Sequence, residues 1–264
     1  MGIRFHWMIR TEDNTVNGLK KLSAELDAIG IYSLLLPYGA NDNDYFYKLP
    51  LVIDPAQKLK YLVAVRPYAI SPEYVGALFR TINEISPNRV ILNIVSGNFD
   101  PNIEPVLKHY VGDVSQIDTM EKRVIYTGKW LEKFFEIMGD NRPEIVLSGS
   151  SPKTLEIANK YSDYHMFILP RLKHVKEYGP INSRRMLYAA PLVRDDPSKI
   201  DALLEGINTT FYHTVFSGNK VEVANKIKSF ELEGVTDILF NHLEFDDKIE
   251  LVYEMIEEIN NGSI

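Results

Sequence analysis

The sequence contains no cysteine, which excludes disulfides, thiolate nucleophiles and thiolate metal sites. It has no excess of positive charge either. Lysine and arginine number 29 against 36 aspartates and glutamates, a net charge of −7. A phosphate backbone or an anionic membrane requires a basic face, so neither nucleic acid nor membrane is expected as a partner. No apolar run approaches the length of a membrane span, and the opening MGIRFHWMIR is too short and too interrupted by charge to read as a signal peptide. These features predict a cytoplasmic protein. Histidines number only six, and no metal site is expected. No G-x-G-x-x-G loop follows the first apolar segment, which weakens an open, doubly wound dinucleotide-binding sheet. Low-complexity segments and interdomain linkers are also missing.

What is present is a chain of 264 residues, 45% hydrophobic and 25% charged. That is enough to bury a full core, long for one ordinary domain and normal for an α/β barrel. Apolar, β-branched runs predict strands at Ile3–Ile9, Tyr32–Leu36, Tyr61–Val65, Val90–Val95, Glu144–Leu147, Tyr164–Ile168, Met186–Val193 and Asp237–Phe240. Helical spacing falls between them, at Val16–Ile29, Tyr45–Ile53, Pro72–Ile85, Met120–Met138, Ser151–Tyr161, weakly near Lys173, then at Ser198–Phe211, Lys220–Glu233 and Asp247–Ile259. Strands alternating with helices imply right-handed parallel crossovers, and eight of them imply a closed (β/α)8 TIM barrel, one domain spanning 1–264.

The stretch Lys60–Pro101 shows the pattern most fully. Its first strand stops at Arg66-Pro67, where proline fixes φ and removes a ladder donor. Ser71 and Pro72 then offer an N-cap and a first-turn proline, and Val75, Leu78, Phe79, Ile82 and Ile85 recur at helical spacing. The second strand gives way to Ser96-Gly97-Asn98, small residues that let a ligand approach the backbone.

In such a barrel the chemistry sits at the C-terminal strand ends. The sharpest signal there is LSGSSPKT, residues 147–154. Gly149 permits a tight turn, Ser150 or Ser151 can N-cap, Pro152 suits the first turn, and no carboxylate follows at once. Free N–H groups flanked by hydroxyls form an anion site, although the same residues also describe a well-capped helix. Three further residues are candidates for catalysis. His6 lies where alternation could turn it into the barrel interior, as a catalytic group or a hydrogen-bonded core histidine. Arg66 could balance a bound anion or pair with a carboxylate. His242, with Glu244, could relay a proton at the last strand. Tyr38, Tyr45 and Tyr188 could stack on a planar ligand or simply pack.

The run VAVRP, SP, NR, NIVSG and DP within 60–101 resembles the bacterial-luciferase-like flavin monooxygenases, most closely their alkanesulfonate monooxygenase branch. EIVLSGSSPKTLEIANKYSDYHM at 144–166 and VFSGNKVEVANKIKSFELEGVTDILF at 215–240 resemble the same family in the same order, as do FHWMI and AIGIYSLLLPYG near the start. The resemblance implies a luciferase-like (β/α)8 barrel that binds reduced FMN, receives it from a separate flavin reductase, and oxygenates a small organic substrate. It places the FMN phosphate on Ser150, Ser151 and Thr154, beside Gly149, and sets Val95, Ser96 and Gly97 against the flavin ring or phosphate.

The chain also departs from that pattern. Asp42 stands where the sulfonate branch has a cysteine, and Glu12 and Met120 where it has histidines. Tyr188 and Ala190 replace an arginine and a histidine. Losing the strand-seven cation argues against a sulfonate substrate. The long insertion that precedes the last strand in relatives, and folds over the flavin, is missing. A non-catalytic flavin-binding barrel and a deazaflavin-dependent dehydrogenase on the same fold therefore stand as alternatives. Relatives are commonly dimers, and Leu49, Leu51, Val75, Leu78 and Phe79 exceed what one inward stripe needs, so a homodimer that also shelters the flavin mouth is expected.

Overall fold

The computed structural model describes residues 2–9, 13–38, 45–53, 58–97, 113–149, 151–167, 182–205, 215–241 and 249–264. The strands are β1 (Arg4–Met8), β2 (Ser33–Leu36), β3 (Lys60–Val65), β4 (Val90–Val95), β5 (Glu144–Ser148), β6 (Tyr164–Phe167), β7 (Arg184–Val193), β8 (Val215–Gly218) and β9 (Val235–Phe240). The helices are α1 (Val16–Ala28), α2 (Tyr45–Val52), α3 (Pro72–Ile85), α4 (Met120–Met138), α5 (Pro152–Tyr161), α6 (Pro197–Leu204), α7 (Lys220–Glu231) and α8 (Ile249–Asn260).

Strands β1 to β7 pair in sequence order, β7 pairs β9, and β9 pairs β1, all parallel. Eight strands thus close a ring, as the alternation predicts, and the register passes His6 to Ser33 on one side and to Leu239 on the other. The outward residues of these strands form the larger core with the helices, including Trp7, Tyr61, Phe134, Phe167 and Phe240. The inward residues fill the barrel with Leu35, Leu62, Ile91, Val146, Met166, Met186 and Leu239.

The helices begin and end where local chemistry dictates. Ser71 caps α3 by accepting from Tyr74 N–H, with Pro72 in the first turn. Thr119 caps α4 by accepting from Lys122 N–H, and Gly139, at φ 54°, stops it. Asn219 and Glu222 close a reciprocal capping box on α7.

One element departs from the eight expected strands. β8 pairs parallel with the upper half of β7, Ala190–Val193, outside the ring. Ala190, Leu192, Ile200 and Val215 pack there as a small separate core. The helix expected from Ser198 to Phe211 is described as Pro197–Leu204, and the weak helix near Lys173 lies outside the described residues.

The N-terminal end of the barrel is closed by charge. Asp237 Oδ1 accepts from Arg4 Nε at 2.8 Å, and Oδ2 accepts from Arg184 Nε at 3.2 Å and Thr236 Oγ1 at 2.6 Å. Glu144 accepts from Lys60 Nζ at 3.0 Å and from Tyr164 OH at 3.1 Å, and Arg4 Nη2 donates to Tyr164 at 2.9 Å. Burial alone would raise the Asp237 carboxyl, yet its bonds and charges hold it down at about 2. The fully buried Asp237 is therefore matched by cations, which is what a low-dielectric interior demands.

Candidate functional site

At the opposite end, the strand tips carry the residues that the LSGSSPKT pattern singled out. β5 ends at Ser148, and Gly149 follows at φ 143°, a conformation that side chains rarely adopt. Its N–H donates to the Met166 carbonyl at 3.2 Å, tying the turn to β6. Ser151 Oγ accepts from the Thr154 N–H at 3.1 Å and lies 2.8 Å from Thr154 Oγ1. Pro152 has no N–H, so the first turn of α5 presents the Lys153 N–H beside two mutually paired hydroxyls. No carboxylate stands in that turn. The first turn of α7 is the contrast, because Glu222 already occupies its cap and repels an anion.

The Val95–Gly97 loop is at the neighbouring strand end, with Val95 in register with Ser148. Val95 faces inward beside Tyr38, Tyr188 and Met8. Ser96 turns the other way, its hydroxyl 3.2 Å from Thr127 Oγ1 of α4, so it offers the mouth its backbone rather than its side chain. Gly97 has φ 61°, and a Cβ there would meet Tyr68 Oη at 3.0 Å and Arg66 Nε at 3.3 Å. Arg66 is half-buried, donates from Nη1 to Tyr68 Oη at 3.3 Å, and holds its guanidinium 5.1 Å from the Tyr38 ring centre.

His6 sits elsewhere. Its side chain is fully buried, Nε2 lies 2.9 Å from Asp237 Oδ1 and Nδ1 lies 2.7 Å from Ser33 Oγ. Burial depresses its pKa against the opposing pull of Asp237. Because Arg4 and Arg184 already balance that carboxylate, the ring is neutral, donating from Nε2 and accepting at Nδ1. Both nitrogens are engaged within the N-terminal network, so His6 does not join the strand-tip residues. Ser150 and His242 lie outside the described residues, as do Glu12, Asp42, Asn98, Arg171 and Glu244.

Several further residues shape the mouth and its walls, and of these Arg123 and His165 carried no sequence signal of their own. Ser148 Oγ donates to Asn93 Oδ1 at 2.9 Å, a buried polar pair in an otherwise apolar wall. Arg123 Nε donates to the Gly97 carbonyl at 3.0 Å and Nη1 to the Ile117 carbonyl at 2.9 Å, which fastens the β4 loop to α4. Burial pushes the Tyr188 hydroxyl up to about 12, with an Asn241 hydrogen bond pulling the other way. His165, facing outward from β6, is buried with neither ring nitrogen hydrogen-bonded. Burial pushes it down to about 4, and the Gly149 backbone that opposes this does not reach hydrogen-bonding geometry.

A groove of about 620 Å³ lined by Phe135, Gly139, Asp140, Arg142, Glu144 and Asp163 opens at the N-terminal end. Its Arg142 pairs with Asp163 at 2.6 Å, and an ion pair at that end of a barrel serves stability. Among the described residues no group of three or more histidine, aspartate or glutamate side chains could hold a metal ion, and no helix is long and apolar enough to cross a membrane.

No family model matches the sequence. The fold, in contrast, is similar to several solved structures. EDTA monooxygenase (EmoA) from Chelativorans sp. BNC1 matches with a TM-score of 0.80 at 10% identity, over 100% of this chain and 94% of that one. The oxygenating constituent of 3,6-diketocamphane monooxygenase from Pseudomonas putida, in complex with FMN, matches at 0.74 and 12% identity, over 98% and 96%. An F420-dependent secondary alcohol dehydrogenase in complex with an F420-acetone adduct matches at 0.64 and 13%, over 98% of both chains. The chain shares with these structures the closed parallel (β/α)8 barrel.

Proposed function

We propose that the protein is a flavin-dependent monooxygenase that takes reduced FMN from a separate reductase and oxygenates a small organic substrate. The observation that carries this reading is the α5 start, where a glycine-only turn, two hydroxyls and an unspent N–H converge without a carboxylate. That set fits a phosphate, because it offers donors and no repelling charge. Ser151, Thr154 and the Lys153 N–H would hold the FMN phosphate, with Ser150 beside them. Gly149 keeps the approach open, since any Cβ would crowd Thr154. Val95 and the backbone of Ser96 and Gly97 would border the ring system, above the Asn93–Ser148 pair.

Reduced FMN would supply the electrons that activate dioxygen. The chain's own work is to bind, orient and exclude water. Arg66 would set a positive charge at the rim, and His242 would move a proton at the last strand. His6 is better suited to positioning, because both its nitrogens are already bonded.

Water exclusion needs a cover at the mouth, and a homodimer is our reading of what provides it. The barrel itself buries Leu49, Val75 and Phe79, which corrects the expectation that these are surplus. What stays outside is Tyr47 at 63%, Leu51 at 58% and Tyr74 at 44% exposure, with the two tyrosine hydroxyls 2.6 Å apart across α2 and α3. A cytoplasmic setting, where flavin reductases operate, completes the proposal.

The deazaflavin-dependent dehydrogenase is the second reading, favoured by the equal-length match to an F420-dependent barrel. Anaerobic titration with reduced FMN, riboflavin and a deazaflavin separates the two. Reduced FMN binding at least about tenfold tighter than riboflavin, followed by oxygenated product with a reductase, NADH and a substrate panel, is the expected result. Preference for the deazaflavin overturns it in favour of the dehydrogenase. Binding of flavin with no product across the panel points to the non-catalytic barrel.

A further inference from the structure

Cations at the two ends of the barrel are treated differently. At the N-terminal end Arg4 and Arg184 meet Asp237, Lys60 meets Glu144, and Arg142 meets Asp163. At the C-terminal mouth Arg66 and Arg123 flank the Gly97 turn, and among the described residues neither has a carboxylate within ion-pairing distance. Arg123 is 5% exposed and spends its donors on the Gly97 and Ile117 carbonyls. Asp118, whose charge Arg123 feels, is itself 2.9 Å from Lys122 Nζ. Among the described residues Arg66 donates once, to Tyr68, which leaves Nε and Nη2 without a described acceptor while its plane rests near the Tyr38 ring. Two like charges with no counter-ion among the described residues cost free energy unless an anion offsets them.

We propose that Arg66, backed by the fixed charge of Arg123 and flanked by Tyr38 and Tyr68, receives the carboxylate of a small organic acid that is the substrate. The proposal rests on the mouth being the active site, as argued above, and adds the substrate's chemical class. A half-buried guanidinium with two donors that lack a described acceptor suits a planar carboxylate, which accepts two parallel hydrogen bonds. The flavin phosphate is a separate anion. The tips of β3 and β5 have β4 between them, so the α5 start and the backbone of Arg66 stand about 10 Å apart at ordinary strand spacing, and the comparison of FMN with riboflavin below separates a second anion from a phosphate that both would hold. The Tyr38 and Tyr68 rings give the acid's carbon chain an apolar flank on the way to the barrel interior.

Calorimetric titration of the flavin-free protein with hexanoate and with hexanol tests the assignment, using wild type, Arg66→Met and Arg66→Lys, each checked for an unchanged circular dichroism spectrum. Hexanoate is expected to bind at least about tenfold more tightly than hexanol, on the scale of a charge-assisted pair. Arg66→Met should remove that preference and leave hexanol unchanged, and Arg66→Lys should restore part of it. Absence of hexanoate binding, or an equal loss for acid and alcohol in Arg66→Met, overturns the proposal. So does a loss of the FMN-over-riboflavin preference in Arg66→Met, because Arg66 would then be holding the flavin phosphate. If no flavin binds to any form, the flavin reading fails while the hexanoate result still stands on its own.

Discussion

Gly149 and Thr154 are packed so closely that a Cβ on the glycine would lie 2.9 Å from Thr154 Cγ2. Backbone conformation and side-chain contact therefore demand glycine independently, at φ 143° and at a distance no real Cβ shows. Gly149→Ala is expected to destabilise the fold by about 1–3 kcal/mol through the strained backbone. It should also displace the Thr154 hydroxyl and weaken FMN binding. Urea denaturation and a flavin titration on the same variant check both effects, and an alanine tolerated without loss of either would show that the turn relaxes freely.

Ser151→Asp places a carboxylate where the proposed phosphate sits. Aspartate is a good N-cap, so stability should change little, while FMN affinity should fall by roughly 2 kcal/mol or more from a lost contact and an added repulsion. Riboflavin, which lacks the phosphate, should bind the variant as it binds wild type. Unchanged FMN affinity would move the phosphate elsewhere.

Acid should destabilise the protein well before its carboxylates titrate. His165 is held at about 4 in the folded state against 6.5 unfolded, chiefly by burial. The unfolded chain thus binds the proton first, and the stability present above pH 6.5 is lost as the pH falls toward 4, at about 1.4 kcal/mol per pH unit. His6, also depressed by burial, acts in the same direction. Asp237 adds its share only between 3.8 and about 2. His165→Phe, beside Phe167, should flatten the slope between pH 6.5 and 4. An unchanged slope in chemical unfolding across that range would assign the acid sensitivity to other groups.

Leu51→Asp puts a charge in the middle of the exposed Tyr47–Tyr74 face. If that face joins two copies, sedimentation should show wild type as a dimer and the variant as a monomer, with the unfolding midpoint of the isolated barrel otherwise preserved. A monomeric wild type at micromolar concentration, flavin included, would leave the mouth to be covered by a different partner.

The ring of eight strands was legible because each strand is a short run rich in apolar residues, with helical spacing or turn-forming residues on either side. α3 and α4 match the expected Pro72–Ile85 and Met120–Met138 to the residue, since Ser71 with Pro72 opens one, and Thr119 and Gly139 bound the other. β8 was not legible. Four residues, VFSG, carry too little pattern to separate a strand from a loop, and only pairing with β7 reveals it. The site was half readable. The Gly149–Thr154 turn is contiguous in sequence, so its chemistry shows in the letters. The contact of Arg123 with Gly97 crosses 26 positions, and that of His6 with Asp237 crosses 231. Such pairings arise from closure of the ring, and no local spacing announces them. The same closure explains why His6, plausible as a catalytic group from its alternation, sits among structural charges: its inward position lies on the level of Ser33 and not at a strand tip.

β7 is shared between two sheets: its first residues belong to the ring and its last four to the ladder with β8. The crossover from β7 to β9 is consequently moored halfway along its course. Sequence added between α6 and β8 leaves the β7–β9 seam in register, because β8 absorbs the change before the chain re-enters the ring, and loop closure grows only slowly with length. The segment between α6 and β8 is therefore where a new cover, a sensor loop or a tether could be grafted onto the barrel without rebuilding it.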